Sequence, residues 1–86
     1  MVFRLSSHAR EEMDRRSISL TLLESVMANP QQIVVERENL KAYQSVVSVE
    51  EKGPFLLRII VNDAVEPAMV VTAYKTSKIS KYWRAL

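Results

Sequence analysis

The sequence predicts an α+β fold: two N-terminal helices packed on a four-stranded antiparallel sheet, with a short C-terminal helix or arm. Three observations carry that expectation. Apolar residues recur at helical spacing between Leu5 and Met27, four β-branched runs follow from Ile33 onward, and the links between the runs are short. Short links between successive strands favour an antiparallel meander. With 86 residues, 48% hydrophobic and 26% charged, a single domain spanning residues 1–86 is expected rather than a disordered chain.

Ser6-Ser7 precede a polar helix expected over His8 to Arg16, since serine is a favoured N-cap and acids suit the early turns. Leu5, Ala9 and Met13, four apart, form its narrow apolar stripe. Ser19 caps a second helix, Leu20 to Ala28, with Leu20, Leu23, Val26 and Met27 on its core face. Asn29-Pro30 ends it, because the residue before proline is pushed out of the α region. The four strands are Ile33–Val35, Ala42–Val49, Phe55–Val61 and Ala68–Tyr74, linked through Glu38-Asn39, Lys52-Gly53-Pro54 and Asn62-Asp63.

Composition narrows the chemistry. No cysteine means no disulfide framework, no thiolate nucleophile and no sulfur-built zinc site. A single histidine, His8, argues against a metal centre, and no cofactor is expected. One glycine, Gly53, excludes a glycine-rich phosphate loop. The apolar runs fall far short of the ~20 residues that span a bilayer, so no membrane partner is expected. Met1-Val2-Phe3-Arg4 runs straight into polar sequence without a signal-peptide pattern, and a cytoplasmic protein is expected.

The net charge of +2 is too small to point to nucleic acid, but its distribution is uneven. Thr72 to Leu86 holds Lys75, Lys78, Lys81 and Arg84 with no acid, interleaved with Tyr74, Tyr82 and Trp83. Such a stretch suits a phosphate backbone and stackable bases, and on composition alone suits better a solvated terminal arm whose aromatics dock on the core. Alternation puts Leu57, Ile59 and Val61 with Met69, Val71 and Ala73 on the core face. The opposite face then gathers Arg58, Thr72, Tyr74 and Gln44 into the one polar surface the pattern offers.

Two motifs carry a family resemblance. Ser7-His8-Ala9-Arg10 with Met13 and Arg16-Ser17-Ile18-Ser19 resembles the opening of a family of small bacterial and phage-associated proteins, a domain of unknown function. Val70-Val71-Thr72-Ala73-Tyr74 resembles the last strand of the same family. By fold, that family is grouped with RelE-type and BrnT-type toxins in the barnase–EndoU–colicin–RelE superfamily of metal-independent ribonucleases. The resemblance spans nearly the whole chain and implies a RelE/barnase-like domain acting as a toxin-like ribonuclease, with RNA and an antitoxin as partners.

Metal-free RNA cleavage needs a base for the 2′-hydroxyl proton, an acid for the 5′-oxygen, and donors for the charge on phosphate. Histidine is the side chain whose ordinary pKa lies near neutrality, which makes His8 the proton-transfer candidate. Arg58, Thr72 and Tyr74 complete the catalytic set, and all four are expected to converge on one open cleft. Arg16, Lys75, Lys78 and Lys81 are the RNA-binding candidates. His8, Arg16, Thr72 and Tyr74 match the family motifs, whereas Arg58 enters from strand alternation alone. Structural roles stand beside these: His8 as a partner for Glu12, Arg16 as a helix C-terminal cation, Thr72 as a β-former, Tyr74 as a half-buried aromatic. The alternative function is a non-catalytic protein-binding module that keeps the toxin-like fold and accepts a partner at an open sheet edge.

Overall fold

The computed structural model describes residues 2–49 and 51–85. Its order is β1 (Phe3–Leu5), α1 (Ser7–Arg15), α2 (Leu20–Ala28), β2 (Gln32–Arg37), β3 (Leu40–Val49), β4 (Gly53–Asn62), β5 (Ala68–Thr76) and α3 (Ile79–Tyr82). The strands form one five-stranded sheet in the order β1-β5-β4-β3-β2, antiparallel except for the parallel pair β1 and β5. The fold class is therefore α+β with a mixed sheet and three helices. The four-stranded antiparallel sheet carrying two N-terminal helices is not what forms. The extra strand is three residues long, too short for alternation to register, and its partner lies 65 positions away, with Phe3 opposite Ala68.

Local chemistry sets the helix ends. Ser6 Oγ accepts the Ala9 amide at 2.9 Å, while its own hydroxyl donates to the Val71 carbonyl at 2.9 Å, so one side chain caps α1 and ties it to β5. At the other end Ser17 takes φ 55°, its amide reaching the Asp14 carbonyl and the Ile18 amide reaching Met13. That is the Schellman stop, with serine where glycine is usual, and it turns Ile18 back into the core beside Met13. Ser19 caps α2 by accepting the Leu22 amide at 3.1 Å.

One face of the sheet is apolar. Ala9 and Met13 from α1 and Leu23, Val26 and Met27 from α2 form a single cluster with Tyr43, Leu57, Ile59, Val61, Ala68, Val70 and Ala73. Val71 does not share that face with Ala73. The pairing shifts between Ile60 and Val61, so Val61 meets Val70 while Val71 is the extra residue of a β-bulge. The bulge flips the alternation, burying Val70 and Ala68 in place of Val71 and Met69. At the end of this face Asp63 accepts hydrogen bonds from Lys41 at 3.1 Å and Tyr43 at 2.9 Å. Burial pushes the Asp63 carboxyl up, but those two bonds and the lysine charge outweigh it and hold the carboxyl below its ordinary value. Burial, then the bond to Asp63, pushes the Tyr43 hydroxyl up.

Candidate functional site

The opposite face carries a row of polar side chains at one register position. Gln32 on β2 pairs with Gln44 on β3, Gln44 with Arg58 on β4, and Arg58 with Tyr74 on β5. Neighbours in a row stand within hydrogen-bond reach across antiparallel strands. Here each one bonds to the next. Gln44 Nε2 donates to Gln32 Oε1 at 2.8 Å, Arg58 Nε donates to Gln44 Oε1 at 2.8 Å, and Arg58 Nη1 donates to the Tyr74 hydroxyl at 2.6 Å. Arg58 Nη2 ion-pairs with Glu36, which the β2 register irregularity between Val35 and Arg37 offers to the same face.

Arg58 is only 3% exposed, so its charge is withdrawn from water and answered by Glu36. The C-terminal arm completes the cover. The Tyr82 ring lies 4.4 Å from the guanidinium carbon, and the Tyr82 carbonyl accepts from Gln44 Nε2 at 3.2 Å. Gln32 holds the arm further on, donating to the Arg84 carbonyl at 2.6 Å and accepting the Arg84 amide at 3.1 Å. Among the described residues no buried side-chain polar atom lacks a partner.

Beside the covered guanidinium lies an open groove of about 330 Å³, lined by Glu36, Arg37, Leu40, Ile60, Thr72 and Tyr74 among others. Glu36 and Tyr74 bond to the two terminal nitrogens of the one guanidinium and so stand side by side at the groove. Because the Tyr74 oxygen accepts from Arg58, its own proton is free to point elsewhere. Glu36 keeps about a third of its side chain exposed (34%), and Arg37 is exposed at the rim. The groove thus offers a carboxylate, a phenol and a cation.

The sequence-predicted residues divide. Arg58 and Tyr74 meet in the polar row, and Thr72 lines the groove next to them. His8 is exposed on α1, whose Ala9 and Met13 pack on the apolar face, and it does not join the Arg58 layer. Glu12 is taken by two arginines, Arg15 at 2.6 Å and Arg16 at 3.0 Å. The Arg15 hydrogen bond, and after partial desolvation the Arg16 bond, hold the Glu12 carboxyl below its ordinary value. Lys78 and Lys81 are exposed on the arm, whereas Lys75 sits over the Phe55 ring on the apolar side, away from Tyr74. Sequence reasoning missed Gln32 and Glu36. The Glu38-Asn39 turn alone would set Ile33 opposite Gln44, and only the register shift between Val35 and Arg37 brings Gln32 there instead. Among the described residues no group of three or more His, Cys, Asp or Glu is placed to hold a metal, and no helix is long and apolar enough to cross a membrane.

No curated protein and no solved structure matches the chain. A family model does, over residues 5–75, from the last residue of β1 to Lys75 near the end of β5. The matched span includes both resemblance motifs and the residues from Gln32 to Tyr74 that form the polar row, and it stops before the arm; it gives no link to the RelE or barnase ribonucleases. The chain belongs to the family of the domain of unknown function DUF4258.

Proposed function

We propose that this protein is a toxin-like, metal-independent ribonuclease whose site is the groove beside Arg58, which would make it a distant relation of the RelE and barnase enzymes. The observation that carries the reading is the pairing of Glu36 and Tyr74 on one buried guanidinium at the wall of an open groove. Glu36 takes the proton from a ribose 2′-hydroxyl as the 2′-oxygen bonds to phosphorus. The phosphorus–5′-oxygen bond breaks, and the Tyr74 hydroxyl supplies the proton to that oxygen. The products are a 2′,3′-cyclic phosphate and a 5′-hydroxyl, and both side chains then exchange protons with water. Arg58 faces the phenolate that forms, Arg37 meets the phosphate, and Thr72 offers a further hydrogen bond. Lys78, Lys81 and Arg84 supply salt-dependent attraction for the backbone on the same side.

The test is cleavage of an oligoribonucleotide by the purified protein in EDTA. Glu36→Gln and Tyr74→Phe should each lower the rate by at least about a hundredfold, the usual worth of an acid or base. His8→Gln should leave it within a few-fold, because His8 stands outside the layer. Loss of activity with His8→Gln alone would move the site to α1.

A second reading, a non-catalytic protein-binding module, is favoured by the β2 edge. Ile33 and Val35 there are 52% and 64% exposed on the face that α1 and α2 cover elsewhere. An added partner strand would cover them. Absence of cleavage with retained partner binding would select it.

A further inference from the structure

A second cavity, of about 510 Å³, opens on the apolar side of the sheet, and the polar row does not reach it. Its walls are Ser17, Lys52, Pro54, Phe55, Lys75, Thr76 and Ser77. The position follows from three elements: the Schellman stop brings Ser17 to the end of α1, the Gly53 turn brings Lys52, and the last residues of β5 bring Lys75 and Thr76. Phe55 is half-buried against the core, so one part of its ring is fixed while another faces the cavity. Lys75 Nζ stands 5.5 Å from the ring centroid, resting on that open π-face. Both lysines are exposed, neither has an ion-pair partner among the described residues, and the lining holds no acid.

We infer that this cavity is a nucleotide-binding site, in which a planar base stacks on Phe55 and its phosphate lies between Lys52 and Lys75. Two unpaired cations and the hydroxyl-bearing Ser17 and Ser77, with no carboxylate in the lining, select an anion rich in acceptor oxygens. A fixed aromatic ring selects a ligand with a flat face. The ammonium now over the ring turns to the phosphate on binding and releases the π-face for the base. The site stands on different residues from the ribonuclease groove and does not depend on that reading. The nucleotide has two sources, a free mononucleotide or one unit of an RNA strand.

The test is titration of the isotope-labelled protein, followed by amide NMR, with adenosine 5′-monophosphate, adenosine, inorganic phosphate and a short oligoadenylate. The monophosphate should shift the Ser17, Thr76 and Ser77 amides and bind at least about tenfold more tightly than adenosine or phosphate alone, since each supplies only half of the contacts. Tighter binding of the oligoadenylate to the same amides assigns the site to a strand, and equal binding assigns it to the free nucleotide. Lys52→Gln with Lys75→Gln should weaken the monophosphate by about tenfold or more without unfolding the exposed surface. Phe55→Leu should weaken adenosine-containing ligands but not phosphate. Shifts confined to other residues, unchanged affinity in the double lysine variant, or phosphate binding as tightly as the monophosphate would overturn the assignment.

Discussion

The two faces of this sheet are built from the same strands and solve opposite problems. On one, Leu57, Ile59, Val61, Val70 and Ala73 meet helices that bring only apolar side chains to the contact. On the other, Leu56 and Ile60 flank an arginine that is more buried than one of them and nearly as buried as the other. The apolar face is held by area removed from water, at roughly 25 cal/mol per Å². The polar face gains little net energy, because the arginine's desolvation offsets much of what its bonds return. What it gains is position. Arg58 fixes Glu36, Gln44 and Tyr74, and through Gln44 and Gln32 it fixes the arm.

This contrast breaks most sharply at Leu57. Leu57→Ala leaves a cavity in a fully buried site and should cost about 3 kcal/mol or more in chemical denaturation, with the groove geometry lost only as the fold is lost. Arg58→Met should cost less, about 2–3 kcal/mol, because methionine fills space while the half-open Glu36 returns to water. The fold should survive, and the RNA cleavage proposed for the groove should be lost. If Arg58→Met unfolds the protein more than Leu57→Ala does, the polar row is the principal core and the comparison fails.

How far the sequence disclosed each face follows from the signals each one uses. The α2 helix was legible from Ser19 and from Asn29-Pro30, two local stops that need no tertiary context. Alternation read β4 correctly, since ten paired residues give the period room to show. On β5 the same rule placed Thr72, Ala73 and Tyr74 correctly and failed only on the other side of the bulge, at Met69, Val70 and Val71, because no local residue announces the bulge. β1 was invisible because three residues carry no period and its partner is at the far end of the chain. Arg58 and Tyr74 were legible as neighbours, but Glu36 was hidden by the irregular register after Val35. The role of the arm was half legible: Tyr82 docks on the sheet, while Lys75 faces the other side because, past the bulge, Thr72 and Tyr74 take the Arg58 face and the odd positions take the apolar one.

Smaller effects sharpen the account. Gln32→Leu removes both bonds to the Arg84 backbone and should cost about 1 kcal/mol. Its clearer sign is release of the arm, seen as altered emission of Trp83, the sole tryptophan, and as faster proteolysis after Lys78 or Lys81. Unchanged emission and proteolysis would mean that Tyr82 alone holds the arm. The smallest effect belongs to the apolar side. Asp63 has its folded pKa below its unfolded one, so its contribution is fully present above the ordinary carboxyl range and is lost as pH falls through the folded value. Asp63→Asn should therefore flatten the acid limb of the stability curve, and leave the difference between pH 6 and pH 8 unchanged.

The most direct measurement of the central claim, that the polar face performs RNA cleavage by transesterification, is end-group analysis on an oligoribonucleotide carrying a single 2′-deoxy substitution. With EDTA present, the fully ribose strand should give fragments ending in 2′,3′-cyclic phosphate and beginning with a 5′-hydroxyl. The bond following the deoxy residue should resist, and Tyr74→Phe should suppress all cuts together. Cleavage of the bond on the 3′ side of the deoxy residue, fragments with 5′-phosphate ends, or full activity in both Glu36→Gln and Tyr74→Phe would contradict it.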